Sequence, residues 1–204
     1  EDEREILAKF PLDEDAWLAE AGSPQAWGEP EYSLVERLGA RPTLDVHGII
    51  GGYTGAGGKT VLPSTVHAKI SMRLVPDQDP QDIAKLYRDY IREITPPSVE
   101  VSIGFMGGAP ASITDLNIGA MKAASTAYSE VFGREPVFMR EGGSIPVVGQ
   151  FQEILGLETV LMGFGLPDDR IHAPNERFYL PNYYRGIETS IRFLREYRRV
   201  TESG

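Results

Sequence analysis

The chain has 204 residues, of which 41% are hydrophobic and 25% charged, and a formal net charge of −10. That length buries a real core, as one large domain or two small ones, while the acidic balance excludes nucleic acid and an anionic membrane surface as partners, because both need a basic face. With no cysteine the sequence excludes disulfides, thiolate metal sites and cysteine nucleophiles, and this fits a reducing, cytoplasmic location.

No apolar run approaches the roughly 18 residues of a membrane span, and no signal peptide is legible at the start. Residues 1–40 read as short peripheral helices. Ile6, Leu7 and Phe10 offer a small apolar face, Asp13–Ala21 centres on Trp17 and Leu18, and Glu31–Leu38 forms a third helix ending at Gly39. Trp17 and Trp27 are expected to plug this segment onto a neighbour rather than to bind a ligand.

From Arg41 the period changes. Thr43–His47 alternates polar and apolar residues as a half-buried strand does, and a loose glycine-rich connection follows through Gly58. Thr65–Val75 is the clearest strand: Val66, Ala68, Ile70, Met72 and Leu74 share one face, with His67, Lys69, Ser71 and Arg73 on the other. His47 and His67 share the parity of the polar strand faces and read as sheet-surface residues. Asp79 caps a helix with Pro80 in its first turn, and its buried stripe is Ile83, Leu86, Tyr87, Tyr90, Ile91 and Ile94. Val99, Val101, Ile103 and Phe105 mark a third strand. Strand, strand, helix, strand is the latter part of a ferredoxin-like α+β unit, whose opening strand and helix are not found in residues 1–40.

Gly107, Gly108 and Pro110 mark a hinge or boundary. A helix over about Asp115–Phe132 presents Ile118, Met121, Ser125, Tyr128 and Phe132 to a core. The strand Val137–Met139, the helix Ile145–Leu155, the strand Glu158–Met162 and a final helix from about Pro181, with inner stripe Tyr184, Ile187, Ile191 and Leu194, form part of an α/β layer. The expected division is therefore 1–40, a helical segment of a lid region; 41–112, a partial lid domain; and 113–204, the later part of an α/β domain. Both layers look incomplete.

Between Met139 and Ile145 a Gly142-Gly143-Ser144 turn links strand to helix. Such a turn aims unpaired N–H groups and the helix dipole at one spot, where an anion fits. Arg140 adds a fork of donors suited to a carboxylate or phosphate. One loop histidine, His172, follows, with Asp168 and Asp169 near it. The three histidines, without cysteine, do not complete a zinc site of three or four ligands. Ser144 has no identifiable base and no nucleophile elbow around it. Taken by spacing alone, Thr60 and Arg73 are exposed polar residues.

The run His47-Gly48-Ile49 through Gly57, then Lys59-Thr60-Val61-Leu62-Pro63, then Ser71-Met72-Arg73-Leu74-Val75-Pro76, resembles the M20 metallopeptidases, most of all their carnosinase-like cytosolic dipeptidase branch. Arg140-Glu141-Gly142-Gly143-Ser144-Ile145-Pro146 and His172-Ala173-Pro174-Asn175-Glu176 match the same family in the expected order, so the resemblance spans roughly residues 30–200. It implies a two-domain enzyme with two divalent metal ions, zinc or manganese, in an α/β catalytic domain, and an inserted α+β lid that mediates homodimerisation. On that resemblance His172 is the last metal ligand. Thr60 and Arg73 grip the substrate carboxylate, Gly143 and Ser144 hydrogen-bond the substrate, and Arg140 supports their loop. The substrate is a dipeptide or related N-acyl amino acid. The family's His-x-Asp and Glu-Glu motifs and its lid histidine are missing, so the chain is expected to be the carboxyl-terminal part of a longer enzyme and inactive alone. The alternative is a non-catalytic dimerisation and anion-binding module.

Overall fold

The computed structural model describes residues 2–141 and 145–202. Gly142, Gly143 and Ser144, and with them the expected anion-binding turn, lie outside the described residues. The elements run α1 (Asp2–Leu7), α2 (Glu14–Ala21), α3 (Leu34–Gly39), β1 (Thr43–Gly51), β2 (Val66–Arg73), α4 (Pro80–Ile94), α5 (Gly119–Phe132), α6 (Pro146–Leu155) and α7 (Leu180–Glu202), with a single 3-10 turn at Pro167–Asp169. Two compact units result: Glu1–Ala111 with Met139–Gly149, and Ser112–Phe138 with Gln150–Gly204.

In the first unit, helix starts follow local chemistry. Asp79 accepts from the backbone N–H groups of Gln81 at 2.8 Å and Asp82 at 3.1 Å, satisfying donors that a helix start leaves unpaired. Ser33 and Glu36 close a reciprocal capping box on α3. Among the described residues, Leu7, Leu34 and Val148 are its buried apolar side chains. The α4 stripe is amphipathic as read, yet none of its residues is buried, and Leu86, Tyr90 and Ile94 are exposed. Periodicity identifies an apolar face; it does not provide something for that face to pack on. Trp27 likewise plugs nothing among the described residues, being 88% exposed.

β1 and β2 pair antiparallel from Thr43 opposite Arg73 to Gly51 opposite Val66. The register slips between Val46, which faces Ile70, and Gly48, which faces Lys69. His47 is thus the extra residue of a bulge, not a regular member of a polar face. The slip has a use. Opposed residues share a face, so the bulge keeps Ile49, opposite Ala68, with Leu44 and Val46, where strict alternation would turn it over. It also lets β1 run four residues beyond the expected end at His47.

The expected strands at Val99–Phe105, Val137–Met139 and Glu158–Met162 carry no ladder, and the sheet among the described residues is β1–β2 alone. A strand exists only with a neighbour to exchange backbone hydrogen bonds. In the second unit, side chains take the carbonyls instead: Thr114 Oγ1 donates to Thr159 O at 2.6 Å, Tyr128 Oη to Gly163 O at 2.8 Å, and Asn182 Nδ2 to Phe164 O at 3.0 Å.

That unit is built on α5 against α7. Gly119 lies beside Val200, Glu130 pairs with Arg192, and Arg185 sits over the Phe132 ring, so the helices run antiparallel. The tightest contacts are small. Ala123, Ala124 and Ala127 are buried on α5, with Asn182, Gly186 and Thr189 buried on α7. A Cβ on Gly186 would come 3.2 Å from the Phe164 ring. Thr189 is tolerated there because its hydroxyl donates to Arg185 O at 2.8 Å. The expected α7 stripe of Tyr184, Ile187, Ile191 and Leu194 is therefore not the inner one; all four residues are exposed. Tyr128, Phe132 and Phe164 stack beside the helix pair with centroids 5.3–6.4 Å apart.

Two outcomes are expected. Ala127→Leu overfills the α5–α7 contact and lowers unfolding free energy by about 1–3 kcal/mol, read by urea titration. Burial pushes the Tyr128 hydroxyl up to about 12. The folded state therefore holds this proton after the unfolded chain has released it, so its contribution is intact below the ordinary tyrosine value near pH 10 and falls as pH rises toward 12. Urea titrations across that window show a decline that is shallower in Tyr128→Phe.

Candidate functional site

The sequence-predicted residues fall on separate segments. Thr60 lies exposed in the connection after β1. Close by, Tyr53 Oη donates to Ala56 O at 3.2 Å, and Lys59 Nζ stands 5.5 Å from the Tyr53 ring, so this loop closes on its own residues. Arg73 ends β2 as an exposed residue, its backbone N–H donating to Thr43 Oγ1 at 3.4 Å. The strand end thereby fixes where its side chain departs.

Arg140 is half-buried and docked by its backbone. A Cβ on Gly39 would lie 2.3 Å from Arg140 O, so only glycine at the end of α3 admits the 140 segment. The Arg140 Nε donates to Glu3 Oε1. The expected anion-directed fork is thus partly engaged by a carboxylate of the chain itself, although a guanidinium has five N–H donors and one bond does not exhaust it.

The same unit contains a cleft lined by Glu3, Arg4, Leu7, Tyr32, Glu36, Ala40 and Arg41. Arg4 and Arg41 lie 5.5 Å and 4.3 Å from the Tyr32 ring, and each is already paired, Arg4 with Glu36 and Arg41 with Glu29 at 2.7 Å. Arg41 holds the Glu29 carboxyl below its ordinary range, and hydrogen bonds from Ser33 do the same for Glu36. With its cations compensated, the cleft presents no surplus charge to an anion.

In the second unit His172 is exposed and left-handed at φ +62°, between Arg170 at +55° and Asn175 at +64°. Three non-glycine residues in this region within six positions store backbone strain. Asp169 holds the turn from inside. It is 2% exposed; its Oδ2 accepts from Leu166 N at 2.7 Å and its carbonyl from Arg177 N at 3.0 Å. Asp168 pairs with Arg177 while remaining exposed, so both acids that the sequence places near His172 have partners within the loop. Asp169 Oδ1 is buried without a hydrogen-bond partner among the described residues.

This donor set does not hold a metal unaided. No group of three or more His, Asp or Glu side chains is gathered at one place among the described residues, and a stable zinc site takes three or four ligands. His172 supplies at most one. Sequence reasoning named Asp169 and Gly39 but missed their roles under the His172 turn and the 140 segment. The acid three residues after Leu166, with Pro167 between, was the legible signal for the first, being half of a capping box; Gly39 gave none, because its partner is distant in sequence.

The family model described as Peptidase family M20/M25/M40 matches residues 13–196. The chain is 27% identical over 207 residues to the Cys-Gly metallodipeptidase of Saccharomyces cerevisiae, covering 100% of this chain and 43% of that protein. It is 32% identical over 171 residues to the human Beta-Ala-His dipeptidase, covering 82% of this chain and 34% of that protein. It superposes on the crystal structure of an M20 family metallo-carboxypeptidase from Sulfolobus solfataricus with a TM-score of 0.81 at 30% identity, covering 97% of this chain and 45% of that one. The chain spans less than half the length of these relatives.

Asp169→Ala is expected to cost about 1–3 kcal/mol of stability, from the Leu166 N–H left without its acceptor. The backbone resonances of residues 166–177 should broaden or shift while those of α5 hold.

Proposed function

The chain belongs to the peptidase family M20/M25/M40, and on that premise we propose that it is the part of a metal-dependent dipeptidase that carries one metal ligand and the clamp for the substrate carboxylate. The observation that carries this reading is the match over residues 13–196 together with relatives that are Cys-Gly and Beta-Ala-His dipeptidases.

Each role follows from side-chain chemistry. Arg73 offers the planar fork that meets a carboxylate bidentately, and Thr60 adds a hydroxyl donor. Gly143 and Ser144 hydrogen-bond the substrate, and Arg140 steadies their loop through Gly39 and Glu3. His172, in its neutral form, contributes one imidazole nitrogen to a site of two divalent ions, zinc or manganese, whose other ligands and general base belong outside this chain. When bound, such ions polarise the scissile carbonyl and make a nucleophile of water. The 41–112 region serves as lid and homodimer contact, and the protein acts in the cytoplasm on dipeptides or related N-acyl amino acids.

Hydrolysis of Cys-Gly and β-Ala-His, assayed with added zinc or manganese, tests this. The 204 residues alone should be inactive, and a chimera supplying the remainder of an M20 enzyme should be active. In that chimera Arg73→Ala should lower kcat/KM by about 10–100-fold, the equivalent of one charged hydrogen bond, and His172→Ala should abolish turnover. Activity from the 204 residues alone would sink the division of roles. A folded but inactive chimera would favour the non-catalytic dimerisation and anion-binding module.

A further inference from the structure

The cleft of the first unit combines charge of both signs with apolar surface. Its volume is about 340 Å³, at the small end of the roughly 300–1,000 Å³ of pockets that hold small molecules. Leu7, Ala40 and the Tyr32 ring supply the apolar part, and the charged lining balances, with Arg4 and Arg41 against Glu3 and Glu36.

The two arginines are fixed and yet unsaturated. Each guanidinium lies over the Tyr32 ring, and each is also tied to a carboxylate, Arg4 to Glu36 and Arg41 to Glu29. A guanidinium stacked on an aromatic face keeps its donors in its own plane. Arg4 uses one donor on Glu36 and Arg41 uses two on Glu29, of the five that each carries. Donors oriented in advance lose little freedom when a ligand arrives. A tie between α1 and α3 requires only Arg4 with Glu36; it gives no reason for Arg41 to lie on the same ring. Of the two acids, Glu36 is filled, accepting from Arg4 through one oxygen and from Ser33 N through the other. Glu3 is not. Its Oε1 accepts from Arg140, while Oε2 has no partner among the described residues, on a side chain 54% exposed.

We propose that this cleft binds a zwitterionic α-amino acid with an apolar side chain. The carboxylate takes the unused donors of Arg4 and Arg41, the ammonium takes Glu3 Oε2, and the side chain covers Leu7 and Ala40. The even balance of charge selects a zwitterion, because a ligand with one pole would desolvate the opposite pole of the cleft without pairing it. The inference rests on the residues of the cleft and not on the dipeptidase reading.

The test titrates L-leucine into the 204-residue chain, followed by heteronuclear spectra that include the arginine Nε–H signals. Saturable shifts at Arg4, Arg41 and the Ala40 amide are expected, with a Kd of about 1 mM for so small a ligand. Isocaproate keeps the side chain and carboxylate but lacks the ammonium; isoamylamine lacks the carboxylate. Each should bind about tenfold or more weakly, the equivalent of one lost charge-assisted hydrogen bond. Glu3→Gln should abolish the preference for L-leucine over isocaproate, and Arg41→Gln should weaken L-leucine by a similar factor. Equal affinity for either analogue would overturn the proposal, and that comparison uses the unaltered chain, so it does not depend on a variant folding. Shifts confined to residues around Arg73, or none that saturate at Arg4 and Arg41, would overturn it too. Every readout is binding without turnover, so this site and the dipeptidase reading fail separately.

Discussion

The close approach of α5 and α7 is the constraint from which the second unit follows. Alanines at 123, 124 and 127 are buried on α5, and Gly186 is buried on α7, where a Cβ would come 3.2 Å from the Phe164 ring. The ridge of the contact is then backbone and methyl groups, and the larger residues are pushed to its flanks. Tyr128 and Phe132 are placed to stack on Phe164, while Tyr128 and Asn182 reach the carbonyls of Gly163 and Phe164. The segment leading to the 166–177 turn is thereby attached at consecutive residues by one side chain from each helix. His172 inherits its position from an alanine face it does not touch.

The first unit is organised differently. Its buried apolar side chains are few, and its order comes from local devices: an Asp79 cap, a Ser33–Glu36 capping box, and a bulge at His47 that keeps Ile49 on the side of Leu44 and Val46. The caps contribute about 1 kcal/mol each, the bulge sets register, and both act without a large core. The surface ion pairs Arg4–Glu36 and Arg41–Glu29 add little, since solvent screens exposed pairs. The unit can therefore display an amphipathic α4 with no buried residue and still keep its elements in place.

What the sequence disclosed divides along the same physical line. Features written in adjacent residues were legible: the helix begun by Asp79 and Pro80, the strand character of β1 and β2, and the ordered motifs that point to M20. Features that depend on what lies opposite were not. The apolar stripe of α7 was read as inner because large aliphatics usually face a core, yet the partner helix chose the side with the smallest side chains. Alternation at Val99–Phe105 and Glu158–Met162 spelled strands without saying whether a neighbouring strand was at hand. Of the candidate site, the identities of Thr60, Arg73, Arg140 and His172 came from motif order, and Gly143 and Ser144 fall outside the described residues. The ties that hold those residues, Gly39 under Arg140 and Asp169 under the His172 turn, join positions whose relation no local pattern announces.

Those ties bear on what a lone imidazole can accomplish. A ligand on a flexible loop loses much of its binding free energy to ordering, because fixing each backbone residue costs about 1–2 kcal/mol. The 166–177 turn is ordered beforehand, and at a cost, with Arg170, His172 and Asn175 all left-handed. Something must offset that strain, and the buried Asp169 does so by accepting from Leu166 N through its side chain and from Arg177 N through its carbonyl, closing the turn across its base. A carboxylate suits this position better than an amide, since Oδ2 accepts from Leu166 N and the other oxygen, unlike an amide NH2, adds no donor needing a partner. It also leaves one buried oxygen unpartnered, a cost of the kind that persists where geometry outweighs local stability. The loop therefore fixes the backbone from which the exposed His172 departs, and the turn owes that order to Asp169 rather than to anything His172 binds.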